Sequence, residues 1–183
     1  MPLVWVALTC DDARRAPSDA LRLASDALAL PPLTLPSQRP HVTPGERFTI
    51  RTSAKETKGV YTMLEVVADP RNGVPIHIHK NEDEHFLVLE GTLHIVVGDA
   101  TLDVPAGTAV TVSKGDPHAW CNLTEMPVRM LVIFSPGHIE GLFRELAVRK
   151  SDDDIAAIAD KFGCLIVGPP LLEDINTINS PRS

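Results

Sequence analysis

Between Glu46 and Pro136 the chain is cut into nine short apolar and β-branched runs, and this segmentation restricts the fold more than any other feature. The runs are Phe48–Arg51, Tyr61–Val67, Ile76–His79, His85–Leu89, Thr92–Val97, Thr101–Val104, Ala109–Val112, Ala119–Leu123 and Val128–Phe134. Gly73, Gly91, Gly98, Gly107, Gly115 and the pair Asp116-Pro117 punctuate them as turn residues. Parallel strands need crossover connections of a dozen or more residues, usually helical, and no such helix fits between these runs. Many short strands at near-regular spacing instead predict an all-β architecture, a sandwich or jelly-roll β-barrel.

The flanks differ from this centre. Residues 1–44 read as an N-terminal arm: Pro17 to Leu30 has apolar residues at Leu21, Ala24 and Leu28 that suit a short helix, and Pro31, Pro32, Pro36 and Pro40 then break regular structure. After the barrel, expected over residues 45–136, comes a C-terminal helical extension and tail over residues 137–183. Ile139, Leu142, Phe143 and Leu146 fall at i, i+3, i+4 and i+7, the stripe of an amphipathic helix. Ser151 and three aspartates suit the positive end of a second helix, with Ile155, Ile158, Ala159 and Phe162 as its stripe and Gly163 to close it. These helices are expected to cover the barrel or to join two subunits.

Composition serves mainly to exclude. A net charge of −7, from 17 basic and 24 acidic residues, argues against nucleic acid as a partner. No apolar run approaches the length of a membrane span. Met1 to Cys10 is apolar but lacks a basic stretch ahead of it, which argues against a signal peptide. Cys10, Cys121 and Cys164 are too dispersed for a disulfide framework and read as free thiols of a cytoplasmic protein.

The chemistry concentrates in two stretches. Residues two apart on a strand point to one face, about 6.6 Å apart along the chain, so His77 and His79 present two imidazoles together. Glu84 opens the next strand after a four-residue gap and adds one anionic oxygen. His118 follows the Gly115-Asp116-Pro117 turn and supplies a third imidazole. Such a set suits one divalent transition metal, Fe, Ni, Mn, Co or Zn, and leaves an octahedral ion two positions for water, a chelating substrate or O2. Alternation places Phe86 and Val88 with Glu84, and Trp120 and Asn122 with His118. Phe86, Trp120 and Asn122 are therefore candidate pocket residues, or simple filling of the barrel. Glu82 is a rival ligand with the wrong spacing to Gly91, and with Asp83 and Glu90 it reads as an ordinary loop acid. His85 should face away from Glu84, His94 defaults to a surface role, and His41 and His138 lie outside the barrel. No spacing decides between pocket and rim for Tyr61.

The two stretches resemble the cupin motifs. In motif one, His77-x-His79, four residues, Glu84, six residues and Gly91 fit, although Gly73 precedes His77 by three residues rather than the usual five. In motif two, Gly107, Gly115, His118 and Asn122 fall in place, with Ser113 where the family usually has proline. The segment Pro136 to Leu146 is similar to the helix after the barrel in single-domain, quercetinase-like bacterial cupins. The resemblance covers residues 45–136 and implies a jelly-roll barrel whose metal ligands are His77, His79, Glu84 and His118. It further implies a metal-dependent, dioxygenase-type oxidoreductase acting on a small phenolic or enolic substrate, with Glu84 also able to act as base. A metal-dependent isomerase or lyase, or a non-catalytic ligand-binding cupin, stands beside that expectation, as cupins serve many functions. A homodimer is expected because sheet edges need cover.

Overall fold

The structure, a computed structural model, describes residues 41–43, 45–150 and 154–171. Its strands are β1 (His41–Thr43), β2 (Glu46–Thr52), β3 (Thr62–Ala68), β4 (Pro75–His79), β5 (Asp83–Glu90), β6 (Thr92–Val97), β7 (Ala100–Pro105), β8 (Ala109–Val112), β9 (His118–Cys121), β10 (Val128–Ser135) and β11 (Cys164–Pro170). They form two antiparallel sheets, ordered β1-β2-β3-β10-β5-β8 and β11-β4-β9-β6-β7. Each of the nine expected strands is present. Among the described residues the sheets stack as a jelly roll but do not close on themselves, and β1, β8, β11 and β7 stand at their edges.

Side-chain alternation drives the stacking. Along β3, Thr62, Leu64, Val66 and Ala68 are buried while the residues between them are half-exposed, and β10 repeats the pattern with Val128, Met130, Val132 and Phe134. This is the signature of strands with one face on a core and one toward water. The inward residues of both sheets, among them Phe48, Phe86, Leu93, Ile95 and Trp120, make one continuous hydrophobic cluster. Burying each large apolar side chain is worth roughly 1.5–3 kcal/mol, so this cluster is the main source of stability.

After a 3-10 turn at Gly137–Ile139 come two short helices, α1 (Glu140–Val148) and α2 (Ile155–Lys161). The expected stripes face the sheets except at Ile155: Ile139, Leu142, Ile158 and Ala159 are buried, with Phe143, Leu146 and Phe162 packed against them, while Ile155, in the first turn of α2, is 41% exposed. Asp154 caps α2, its carboxylate accepting from the N–H groups of Ala156 and Ala157 at 2.9 and 3.2 Å. The backbone N–H of Gly163, at φ +76°, donates to Asp160 as the helix ends. Ser151 to Asp153 and the proposed helix at Pro17–Leu30 lie outside the described residues, as does Cys10.

Two strands lie beyond the expected set. His41–Thr43, at the end of the expected arm, pairs with β2. Cys164–Pro170, read as tail, pairs with β4 across the register Cys164↔His79, Leu165↔Ile78 and Ile166↔His77. Its Gly168, Pro169 and Pro170 suppress any strand signal, and an edge position tolerates prolines because the outer side requires no donor. Among the described residues no helix is long and apolar enough to cross a membrane.

Candidate metal centre

β4 and β9 are neighbours in one sheet, and their single register pair is His77↔His118. Two residues further along β4, His79 points to the same face. Glu84 comes from β5 in the opposite sheet, where it lies between Val112 of β8 and Phe134 of β10. The site is thus built across the gap between the sheets. The turn before His118 is held to β4: the N–H of Gly115 donates to the carbonyl of His79 at 2.8 Å. Gly115 sits at φ +88°, a conformation that glycine adopts without strain. Ser113 in place of proline leaves this turn closed, since its carbonyl accepts from Asp116 at 3.1 Å.

The four donors converge. His77 Nε2 lies 3.2 Å from His79 Nε2, and Glu84 Oε2 lies 3.1 Å from His79 Nε2 and 2.7 Å from His118 Nε2. All four ligand atoms lie within 4.8 Å of one another, and all four residues are buried. Two donors at right angles on an ion about 2.1 Å away are about 3.0 Å apart, so the spacing fits a shared ion. The outer nitrogens support this reading. Nδ1 of His77 donates to the carbonyl of Pro75 at 2.8 Å, and Nδ1 of His118 donates to that of Asp116 at 2.9 Å. A carbonyl only accepts, so both rings are fixed with Nε2 turned inward. The cluster is compatible with one metal ion, as the sequence led us to expect.

Electrostatics separates the members. Burial pushes His77 down to about 4, against the pull of Glu84, so it is neutral near pH 7. Burial alone would raise Glu84, but hydrogen bonds from His118 and His79 outweigh it and hold the carboxylate ionised well below its usual range. Burial opposes the charged form of His118, yet its hydrogen bond to Glu84 and the nearby negative charge raise it above the usual histidine value.

A cavity of about 140 Å³ opens beside the ligands. Its floor includes His77, His79, Glu84 and Trp120, and its roof is Leu142, Phe143, Leu146 and Ile155 of the two helices. A line of ring contacts runs from floor to roof: His79 to Phe134 at 5.3 Å, then Phe134 to Phe143 at 5.3 Å.

Of the three candidate pocket residues, Trp120 lines this cavity; Phe86 and Asn122 do not. Phe86 is packed in the core at 1% exposure. The amide of Asn122 is committed to its own loop, donating to Ala68 and Met126 and accepting from the N–H and hydroxyl of Thr124. Its place is that of a turn lock, because β9 ends at Cys121 and the alternation stops there. Glu82 is also not the loop acid expected. It is 1% exposed beside His79 and His138, burial raises its proton affinity, and no side chain hydrogen-bonds its oxygens. It stays outside the four-donor cluster. His85 faces away, 2.9 Å from the Thr111 hydroxyl, and His94 pairs with Asp103 at 2.7 Å on the surface.

The helical roof and Cys164 of β11 escaped the sequence reading as site residues. The apolar stripes were visible, but nothing in them says where the helices dock. Cys164 is a free thiol that burial, with Glu84 and Glu82 nearby, pushes up to about 12, so it lines the cavity in neutral form.

Residues 64–134 match the family model described as the cupin domain. Mannose-1-phosphate guanylyltransferase 2 of Escherichia coli O157:H7 is 23% identical over 95 residues, which cover 51% of this chain. The chain spans only 20% of the length of that curated relative. Among solved structures, the polyketide cyclase RemF from Streptomyces resistomycificus superposes with a TM-score of 0.50 at 18% identity, covering 58% of this chain and 79% of that one. KdgF from Halomonas sp. gives 0.49 at 19% identity, covering 54% and 87%. The structural likeness is one of fold. Together with the cupin-domain match over residues 64–134 and the two-sheet jelly roll, it gives this chain a cupin-like fold.

Proposed function

We propose that the chain is a metal-dependent enzyme of the oxygenase type, acting on a small phenolic or enolic chelator. One observation carries this reading: a buried set of three imidazoles and one carboxylate opens directly into an apolar cavity. A divalent transition ion held by His77, His79, Glu84 and His118 would supply Lewis acidity and, if redox-active, electron exchange with O2. The chain's own residues do the rest. The Pro75 and Asp116 carbonyls fix the rings of His77 and His118, so both Nε2 atoms face the site before any ligand arrives. The apolar roof sets hydrocarbon against one side of the ligands and so weakens solvent screening of the charges beneath it. Glu84 keeps its charge, which suits a ligand; its low proton affinity makes it a weak base until its imidazole partners are engaged elsewhere.

The test is O2 uptake by protein reconstituted separately with Fe, Ni, Mn or Co, over a panel of phenols and enols. Uptake should stop with EDTA, and Glu84→Gln should lower turnover at least tenfold at saturating metal. Trp120→Ala should change substrate preference more than metal content. A panel with no uptake under any metal overturns the oxygenase reading in favour of isomerisation, elimination or ligand binding. The expected homodimer is part of the same proposal, supported by the open sheet edges, and light scattering that gives a clean monomer removes it.

A further inference from the structure

Resting on the four-donor metal centre, and not on the oxygenase chemistry proposed for it, we infer that Glu82 is the outer partner of His79. Its carboxyl group accepts from the Nδ1–H of that ring, by a small turn of the side chain or through one buried water, and so holds Nε2 toward the ion. The first ground is a set of unmatched atoms. Among the described residues, the buried side-chain nitrogen and oxygen atoms without a hydrogen bond are Nδ1 of His79 and both oxygens of Glu82. Buried polar groups are nearly always satisfied, by protein or by ordered water. Here a donor and two acceptors stand unmatched on residues three apart in one turn, at 3% and 1% exposure. The other two rings show what His79 needs. Nδ1 of His77 and Nδ1 of His118 each donate to a backbone carbonyl, at 2.8 and 2.9 Å. A ligating imidazole almost always donates its outer N–H to such a carbonyl, to a carboxylate or to water, and Glu82 brings a carboxylate to the ring that has no carbonyl.

The second ground is placement. Glu82 stands two residues before Glu84, at the entry to β5, so in extended chain the two side chains take the same side. Burial follows that alternation: Glu82 and Glu84 are buried, and Asp83 between them is half-buried. The turn that carries Glu82 is tied at both ends. The N–H of Lys80 donates to the carbonyl of Gly163 at 2.9 Å, and the Asp83 carboxylate accepts from the N–H of Lys114 at 2.9 Å. Cys164, opposite His79 in the register of β11 and β4, has Glu82 and Glu84 both near it, which sets Glu82 at the His79 end of the cluster. His138 also lies near Glu82, but it is exposed and finds partners in water. A side chain that only filled this space would be apolar, since burying an unpaired carboxyl is costly.

Zinc affinity of the full-length, EDTA-stripped protein, measured by competition with a chromophoric chelator, tests this. Glu82→Leu should weaken it at least tenfold, within the roughly 10–100-fold typical for loss of an outer-shell partner. Glu82→Gln keeps an acceptor and loses only the charge, so it should stay close to wild type, as should His138→Ala. By heteronuclear NMR, zinc-loaded wild type should show a His79 Nδ1 proton in slow exchange with solvent, and Glu82→Leu should lose it. Thermal melts of the metal-free variants establish that each is folded; should Glu82→Leu not fold, the wild-type proton signal and Glu82→Gln decide. Unchanged zinc affinity in Glu82→Leu overturns the inference. So does a Glu82→Gln variant as weak as Glu82→Leu, or a His79 Nδ1 proton that exchanges as fast as that of a solvated imidazole. Wild-type protein that binds no zinc overturns the metal centre along with it, whereas these results without O2 uptake uphold the pairing and remove only the oxygenase chemistry.

Discussion

At the residue scale, His118 shows what the site is without an ion. Its Nδ1 faces a carbonyl and its Nε2 faces an ionised carboxylate, so both nitrogens are placed to donate and the protonated ring is favoured. A metal must displace that proton, which makes binding pH-dependent. The same contacts set the stability of the metal-free protein. For His118 the folded value is raised above 6.5, so its contribution is complete below 6.5 and is lost as pH rises through the folded value. For His77 the folded value is lowered to about 4; between 6.5 and 4 the unfolded chain binds the proton first, and stability falls as pH falls. Glu84 acts in the same sense lower down, its contribution being lost as pH drops below its ordinary value of 4.5. Denaturant unfolding of EDTA-treated protein should therefore show maximum stability near pH 6.5. A curve still rising well above that pH would contradict the His118–Glu84 pairing. Replacing His118 by alanine should weaken metal affinity at least about 100-fold, more than is typical for losing an outer-shell partner. Equal metal content in both proteins by elemental analysis would remove His118 from the ligand set.

At the element scale, the roof depends on α1 and α2 touching closely. A Cβ on Gly141 would sit 2.3 Å from the Phe162 ring. Gly141→Ala gains about 1 kcal/mol of helix propensity but overpacks this contact, at a typical cost of 1–3 kcal/mol, so the net change should be destabilising by roughly 1 kcal/mol. In a Phe162→Ala background the clash is gone, and the same substitution should raise Tm. The sign reversal identifies the contact, and a rise in Tm in both backgrounds would show that the ring simply swings aside. The helices illustrate the limit of sequence reading here. Their stripes were legible because 3.6-residue periodicity is local, and the nine central strands were legible because alternation and turn residues are local too. His77, His79, Glu84 and His118 could be grouped because spacing fixed two of them on one strand and the motif order supplied the others. What covers the site was not legible. Docking of α1 and pairing of β11 beside β4 are tertiary events between segments far apart in sequence. Asn122 was misplaced for a related reason: alternation holds only while a strand lasts, and β9 stops one residue earlier.

At the scale of the whole molecule, the ligands join two sheets that are otherwise held by side-chain packing. Three come from β4 and β9 and one from β5, so an ion bound among them spans the interior. The core extends well beyond the site, through Leu93, Ile95, Val88 and Met130, all at 0% exposure. The apoprotein should therefore stay folded, and the metal should act as a ligand of the native state rather than a condition for folding. An ion at about 1,000 times its Kd adds about 4 kcal/mol by linkage. For a domain of this size, each kcal/mol moves Tm by about 2–4 °C, which predicts a metal-dependent rise of roughly 8–16 °C. EDTA should reverse the rise in wild type and leave the Tm of His118→Ala nearly unchanged, because that variant holds little metal to lose. Circular dichroism during the same melts should show one cooperative loss of β signal with or without metal. If chelation alone abolished that signal at room temperature, the ion would be holding the sheets together, and the hydrophobic cluster between them would be too weak to define the fold.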